Sequence, residues 1–212
     1  MSTAQFLLYV DASYVSPYAM SAYVALTEKG VPFELRQVDL RAAHQHAPDY
    51  ARDSMTGRVP MLSHGEFHLS ESSAIAEYLD ELLPAPGYCA LYPGSARERA
   101  RARQVQAWLR SALDALREAR PTTSVFGPAL TSPLPAVAAA EGARLCALVE
   151  ALVPAASQQL FGEWSLADTD LALMVQRLLH NGDAVSARVA DYARAQWQRP
   201  AVQAWLALPR AL

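Results

Sequence analysis

The stretch from Phe6 to Val38 constrains this chain more than any other. Phe6-Leu7-Leu8-Tyr9-Val10 is a short apolar run of the kind buried strands carry. Ser16-Pro17 follows, a serine at N-cap and a proline at the first helical position. The helix it opens is expected to run to Lys29 and to end at Gly30, the residue that most easily takes a left-handed stop. Phe33 to Val38 then reads as a second strand. Two strands joined through one helix must lie parallel with a right-handed crossover, because a hairpin turn joins only antiparallel neighbours.

Residues 41–58 are polar and read as a loop with a short helix near Pro48–Arg52. Val59-Pro60-Met61-Leu62 and Glu66-Phe67-His68-Leu69 read as two strands joined by Ser63-His64-Gly65, a separation that suits a hairpin. Ile75, Tyr78, Leu79 and Leu82 fall at i, i+3, i+4 and i+7, the spacing of one apolar helix face. The order is therefore β-α-β followed by β-β-α. Pro84-Ala85-Pro86-Gly87 and Tyr92-Pro93-Gly94 interrupt the pattern, which places a mixed α/β domain at 1–83, a linker at 84–94 and a second domain at 95–212.

Beyond the linker every strong signal is helical. Val105, Trp108, Leu109, Ala112, Leu113 and Leu116 form one stripe on a single expected helix from Ala96 to Ala119, with Arg97, Arg99, Arg101 and Arg103 on a solvated face. Residues 121–135 are rich in Pro, Ser and Thr and read as an interruption, with helices expected near 135–153, 168–180, 185–196 and 200–207. Ser165 and Asp168 have the S-x-x-D spacing of a capping box ahead of Leu171, Met174, Val175 and Leu178.

Composition narrows the function. With 18 basic and 21 acidic residues the net charge is −3, which argues against a broad nucleic-acid footprint. No apolar run reaches the ~18–20 residues of a membrane span, and no signal-type segment opens the sequence. Cys89 and Cys146 are the only cysteines and form no CxxC pair, so a cytoplasmic location is expected. His44, His46, His64 and His68 cluster, but His64 and His68 fall on the hairpin rather than a helix and no cysteine completes a ligand set. A metal site is not expected.

Several residues converge on chemistry. Pro60 stands at a strand start, where its missing N–H is tolerated. A cis Val59-Pro60 bond would present the Val59 backbone to a peptide-like ligand, whereas a trans bond would simply begin the strand. Taken alone, Ser16 reads first as a plain N-cap and only second as a hydroxyl beside the positive end of a helix. Glu71 and Ser72 enter the third helix, where a carboxylate beside free N–H groups suits a zwitterionic end group.

Four stretches together resemble the cytosolic glutathione S-transferase superfamily across the whole chain. Ser16-Pro17-Tyr18-Ala19-Met20 through Lys29-Gly30 resembles the first helix of serine-type members of the tau-like group. Gly57-Arg58-Val59-Pro60-Met61-Leu62 resembles the family's cis-proline segment, and Leu69-Ser70-Glu71-Ser72-Ser73-Ala74-Ile75 its Glu-Ser turn. Phe161-Gly162 and Ser165-Leu166-Ala167-Asp168 resemble its C-terminal folding motif. Many members carry Arg early in the first helix, where this chain has Met20-Ser21-Ala22-Tyr23.

The resemblance implies a thioredoxin-like N-terminal domain, an all-helical C-terminal domain and glutathione as co-substrate. It gives Ser16 the activation of the glutathione thiol, with Ser13 as rival, and gives Arg58, Val59, Glu71, Ser72 and His46 (or His44) the tripeptide. Tyr14, Tyr18, Trp108 and Phe126 become candidate walls for an electrophilic or peroxide second substrate, while Pro60, Ser165 and Asp168 are structural. A homodimeric transferase is the implied function. A maleylacetoacetate-type isomerase of the zeta kind, a glutathione-dependent peroxidase or disulfide reductase, and a non-catalytic binding protein remain as alternatives.

Overall fold

The computed structural model describes residues 5–155 and 157–210. The chain forms two compact units, one running up to Leu91 and regaining the chain from Ala204, the other spanning Tyr92–Gln203. The last stretch of the described residues therefore groups with the first unit.

The first unit is built on a four-stranded sheet of order β2-β1-β3-β4. β1 (Phe6–Asp11) pairs in parallel with β2 (Phe33–Val38), and antiparallel with β3 (Met61–His64), which pairs antiparallel with β4 (Phe67–Ser70). The crossover is α1 (Pro17–Lys29), capped by Ser16 and stopped by Gly30 at φ 66°. α2 (Pro48–Asp53) follows a 3-10 turn at His44–His46, and α3 (Ser72–Leu82) closes the unit. Phe6, Leu8 and Val10 are buried on one side of β1, as alternation along a strand requires. On the other side Tyr9 joins Val38, Tyr50, Val59 and Met61 in a separate apolar cluster beneath α2.

The expected linker is tied down as far as Leu91. Buried Lys29 Nζ donates to Asp80 Oδ1 at 2.8 Å and to the carbonyls of Leu83 and Cys89, and Asp80 Oδ1 also accepts the Leu91 amide. A fully buried ammonium is tolerable only with such partners. At the other end Trp205, fully buried, packs edge-on against Tyr14 and tilted against Tyr23. These aromatic contacts explain why the end of the chain counts with the first unit.

The second unit is all helical: α4 (Ala96–Ser111), α5 (Asp114–Ala119), α6 (Thr122–Phe126), α7 (Ala136–Leu152), α8 (Leu166–Leu179) and α9 (Ala187–Trp197), with α10 (Pro200–Leu206) leading out of it. The single helix expected from Ala96 to Ala119 is broken. Leu113 takes φ 63° yet is buried, and Glu141 on α7 reaches across to accept the Leu116 amide at 2.8 Å. The cap that starts α5 is thus supplied by another helix, so no local pattern announces it. α6 lies where the Pro/Ser/Thr-rich interruption was expected; Ser124 Oγ and its amide both donate to the Pro121 carbonyl.

The capping residues do more than cap. Asp168, fully buried, accepts Ser165 N and Oγ on Oδ2, and Leu160 N and Tyr192 Oη on Oδ1. One carboxylate so joins the loop before α8, its first turn and α9. Burial raises its pKa above the ordinary carboxylate value despite these donors.

Candidate functional site

Strand register decides which loops meet. Tyr9 on β1 lies opposite Met61 on β3, and Met61 lies opposite Ser70 on β4. The turn after β1, the Val59-Pro60 segment before β3 and the Glu71-Ser72 turn after β4 therefore leave the sheet at one end. Residues about sixty apart in sequence are brought to a common edge by three strands.

Each loop is held there by specific bonds. Asp11, 4% exposed, accepts the Val15 amide on Oδ2 at 2.8 Å and the Ser16 amide on Oδ1 at 3.0 Å. Ser16 Oγ accepts the Ala19 amide at 3.2 Å, and the Ser16 carbonyl accepts the Met20 amide. The Ser16 hydroxyl hydrogen is left to donate from a half-buried position at the start of α1. Ser13 stands on the same turn and is also half-buried, but it caps nothing. Sequence reasoning missed Asp11, because a single acid at a strand end carries no motif.

The Val59-Pro60 bond is cis, and so is Ala85-Pro86. Tyr50 Oη on α2 donates to the Arg58 carbonyl at 2.7 Å, and Ser54 Oγ meets Ser70 Oγ at 3.3 Å while accepting the Gly57 amide. These bonds fasten the 54–59 loop to the end of β4. The Arg58 side chain is exposed, with no ion pair among the described residues. Burial pushes the Tyr50 phenol up to about 12, against an ordinary value of 10.0. The folded state then holds this proton more tightly, so its contribution is full below pH 10 and lost as pH rises towards about 12. Tyr50→Phe is expected to flatten that alkaline loss of stability, measured by chemical denaturation at stepped pH.

Glu71 is the strained residue of the site. It is an exposed non-glycine at φ 73° and ψ 115°, standing at the N-cap of α3 with its side chain making no cap. None of Ser70, Ser72 and Ser73 is the N-cap residue. The exposed Glu71 side chain gives no bond to the first-turn amides of α3. Such backbone strain in a bulky residue costs roughly 1–3 kcal/mol and collects where a ligand must be met. Ser72 is buried at 2%.

His46 is exposed in the 3-10 turn, as is His44. Between them Gln45 Oε1 is buried without a hydrogen-bond partner, and so is Thr56 Oγ1. Neither was singled out from sequence. His64 bonds Tyr78 Oη through Nδ1, whereas His68 bonds Ser63 Oγ and approaches Asp53 at 3.8 Å, so the two rings are engaged by α3 and α2 respectively.

The expected second-substrate walls are divided between the two units. Tyr14 is turned into the first unit: it is 6% exposed at φ 52°, its hydroxyl accepts from Gln37 Nε2, and its ring meets Trp205. That corrects its reading as a wall, because its surface is consumed by packing. Tyr18 is half-buried on α1. In the second unit Trp108 lines a cavity of about 470 Å³ with Val105, Ala147, Leu148 and Leu152, rimmed by Arg101 and Arg144. Phe126 lies outside that cavity and stacks on Trp197. Neither cysteine belongs to the site: Cys89 is exposed after α3, and burial beside Glu150 raises the Cys146 thiol.

A parallel β-α-β pair continued by an antiparallel hairpin and helix, with an all-helical unit following, is the glutathione S-transferase fold. A glutathione transferase homolog from Burkholderia, solved with bound glutathione, superposes with a TM-score of 0.80 at 45% identity, covering 95% of this chain and 96% of that one. A theta-class glutathione S-transferase from Xanthomonas axonopodis shares the fold at 21% identity and a TM-score of 0.76, covering 98% and 99% of the two chains.

Residues 12–81 match the family described as glutathione S-transferase, N-terminal domain, and residues 95–211 match glutathione S-transferase, C-terminal domain. The chain belongs to the glutathione S-transferase family. Among curated relatives, mouse glutathione S-transferase theta-3 is 34% identical over 50% of this chain and human theta-2 is 33% identical over 44%. These matches span only 42% and 38% of the relatives' own lengths. Theta is the class named in both, where the first helix had suggested tau-like members.

Proposed function

We propose that the protein is a glutathione S-transferase that ionises the glutathione thiol at Ser16 and delivers it to an electrophile. The observation that carries this is Glu71, an exposed carboxylate held at positive φ at the N-cap of α3 without bonding it, at the sheet end where Ser16 also lies. A γ-glutamyl group carries an ammonium and a carboxylate on one carbon. Glu71 would take the ammonium, and Ser72 with the first amides of α3 the carboxylate. The Val59 backbone would pair with the cysteinyl amide, strand-fashion.

Arg58 and His46 would hold the glycine carboxylate, and the orphaned Gln45 Oε1 offers an acceptor in the same loop. Ser16 Oγ–H then points a donor at the thiolate, and the α1 N-terminus adds a positive partial charge. The thiolate attacks an electrophilic carbon and displaces its leaving group, so the protein supplies ionisation and alignment. Tyr18 is a candidate contact for the electrophile. The family resemblance supports a homodimer. Among the described residues no helix is long and apolar enough to cross a membrane, and a cytoplasmic location is proposed from the scarcity of cysteine.

Retention on immobilised glutathione tests the reading together with ultraviolet absorbance of bound thiolate at neutral pH. Retention without thiolate would overturn the transferase and leave a binding protein. Glu71→Gln should weaken retention at least about tenfold, the scale of a lost charge-assisted bond. Glu71→Gly should lose retention as well, yet remain at least as stable as the parent, since glycine accepts φ 73° without strain. A Glu71→Gly protein that still binds would remove Glu71 from the site. Rates on a panel of an electrophile, a peroxide, a mixed disulfide and a maleyl ester separate transfer from reduction and isomerisation.

A further inference from the structure

β1 ends in a carboxylate that the helix after it does not need. A helix start asks for a side-chain oxygen on its first-turn amides, and at α1 the Ser16 Oγ already takes that place, while Pro17 has no N–H to satisfy. Asp11, the last residue of β1, lies upstream of the cap. It is 4% exposed, and its two oxygens accept the Val15 amide at 2.8 Å and the Ser16 amide at 3.0 Å. Burying a carboxylate costs free energy that hydrogen bonds only offset, and water would serve two loop amides as well. The capping of α1 therefore does not account for Asp11.

The turn carries a second cost. Tyr14 takes φ 52°, and such strain persists only where the surroundings over-determine it. The Tyr14 amide donates to the Asp11 carbonyl at 3.0 Å, its hydroxyl accepts from Gln37 Nε2 at 2.7 Å, and its ring meets Trp205 edge-on. Asp11 itself is fixed to the sheet: it lies opposite Val38 of β2, whose carbonyl accepts the Ala12 amide at 3.0 Å. One strand residue thus holds the successive amides of Tyr14, Val15 and Ser16, the first through its carbonyl and the others through its carboxylate.

We propose that Asp11 is a positioning residue for the transfer reaction: it ties Ser16 to the sheet, so that the serine hydroxyl meets the glutathione sulfur at a fixed place relative to Val59 and Glu71, which leave the same sheet end. The inference rests on the reading of Ser16 as the thiolate donor. Asp11 acts through the Ser16 backbone, since both of its oxygens are taken by amides. A negative charge disfavours an anion in its vicinity, so the position of Asp11 and its charge predict effects of opposite sign on the thiol.

The test is the pKa of the glutathione thiol bound to the full-length protein, from thiolate absorbance against pH, in Asp11→Asn and Asp11→Glu. Asparagine removes the charge, keeps one acceptor and sets an N–H group against the second amide. Glutamate keeps the charge, but its extra methylene moves the oxygens off both amides. A misplaced Ser16 hydroxyl should raise the thiol pKa by at least about half a unit in both variants. Glutathione affinity at acid pH, where the thiol is protonated, should change less than about twofold. An unmoved pKa in either variant, the mark of a merely structural acid, overturns the proposal. So does a fall in Asp11→Asn, the mark of an acid that acts by its charge.

Should neither variant fold, hydrogen exchange in the parent decides. The Val15 and Ser16 amides, held by a buried carboxylate, should exchange at least about tenfold more slowly than the Ser13 amide of the same turn; equal rates overturn the proposal. Ser16→Ala is measured alongside, alone and combined with Asp11→Glu. The double variant should lie within about 0.2 units of Ser16→Ala, because a residue that acts through Ser16 has nothing left to act through; additive shifts overturn the proposal. If Ser16→Ala leaves the thiol pKa unmoved, the Ser16 reading itself falls, and the inference with it. If Ser16→Ala raises the pKa and the Asp11 variants do not, only the role of Asp11 falls.

Discussion

Ser16→Ala should reduce turnover at neutral pH at least tenfold and raise the pKa of bound glutathione, with the fold unchanged. A free thiol of pKa ~8.5 is only a few per cent ionised at pH 7, and lowering it by about two units requires roughly 2.7 kcal/mol of preference for the anion. A hydrogen bond to a charged group contributes about 1.5–3 kcal/mol, and a helix N-terminus adds a fraction of that. On the proposed reading the Ser16 hydroxyl would supply the larger share. Its own acceptor capacity is engaged by the Ala19 amide, and its backbone N–H is held by Asp11, which leaves the hydroxyl hydrogen to point elsewhere.

Alanine removes that donor and also the N-cap of α1, which contributes about 1 kcal/mol to stability. Thiolate absorbance against pH separates the two effects, because a lost cap alone does not move the thiol pKa. Ser16→Thr keeps a hydroxyl and a cap and should keep much of the activity. Unchanged turnover in Ser16→Ala, with loss in Ser13→Ala, would transfer the role to Ser13.

Asp168→Ala should be the most destabilising single change away from the site. The substitution strands four donors at once: Leu160 N, Ser165 N, Ser165 Oγ and Tyr192 Oη. A buried donor without a partner costs about 1–3 kcal/mol. Even with partial relaxation the sum is about 4 kcal/mol, a large part of the ~5–15 kcal/mol that keeps a domain folded. At about 2–4 °C per kcal/mol for a chain of this size, the thermal midpoint should fall by roughly 10 °C. Tyr192→Phe removes only one donor and leaves the carboxylate its other three, so it should lose about 1 kcal/mol. A shift in Asp168→Ala no larger than in Tyr192→Phe would mean that α8 and its preceding loop are held by packing, with the carboxylate incidental.

What could be read early and what could not divides along physical lines. α1 was legible to its last residue because Ser16, Pro17 and Gly30 each act within one turn of the backbone. The helix face at Ile75 and Leu79 and the hairpin after Met61 were legible for the same reason: periodicity and turn chemistry are local. The break after Ser111 was not, since Glu141 caps α5 from another helix. Tyr14 was expected as a wall from its place beside Ser16, and only the packed Trp205 shows it facing inward.

The site divides the same way. Ser16, Arg58, Val59, Glu71 and Ser72 stand in motifs whose residue types already suggest anion and peptide binding. Their meeting depends on the register that sets Tyr9 against Met61 and Met61 against Ser70. Sequence alone determined the order of elements, the caps, the family resemblance and the chemical character of each turn, because those follow from neighbours along the chain. Only the tertiary structure decided that Glu71 takes a strained backbone at the start of α3, that Asp11 holds the Ser16 amide, and that Trp205 packs on Tyr14 of the same turn. Strain, burial and charge compensation arise between residues far apart in sequence, and no local pattern encodes them.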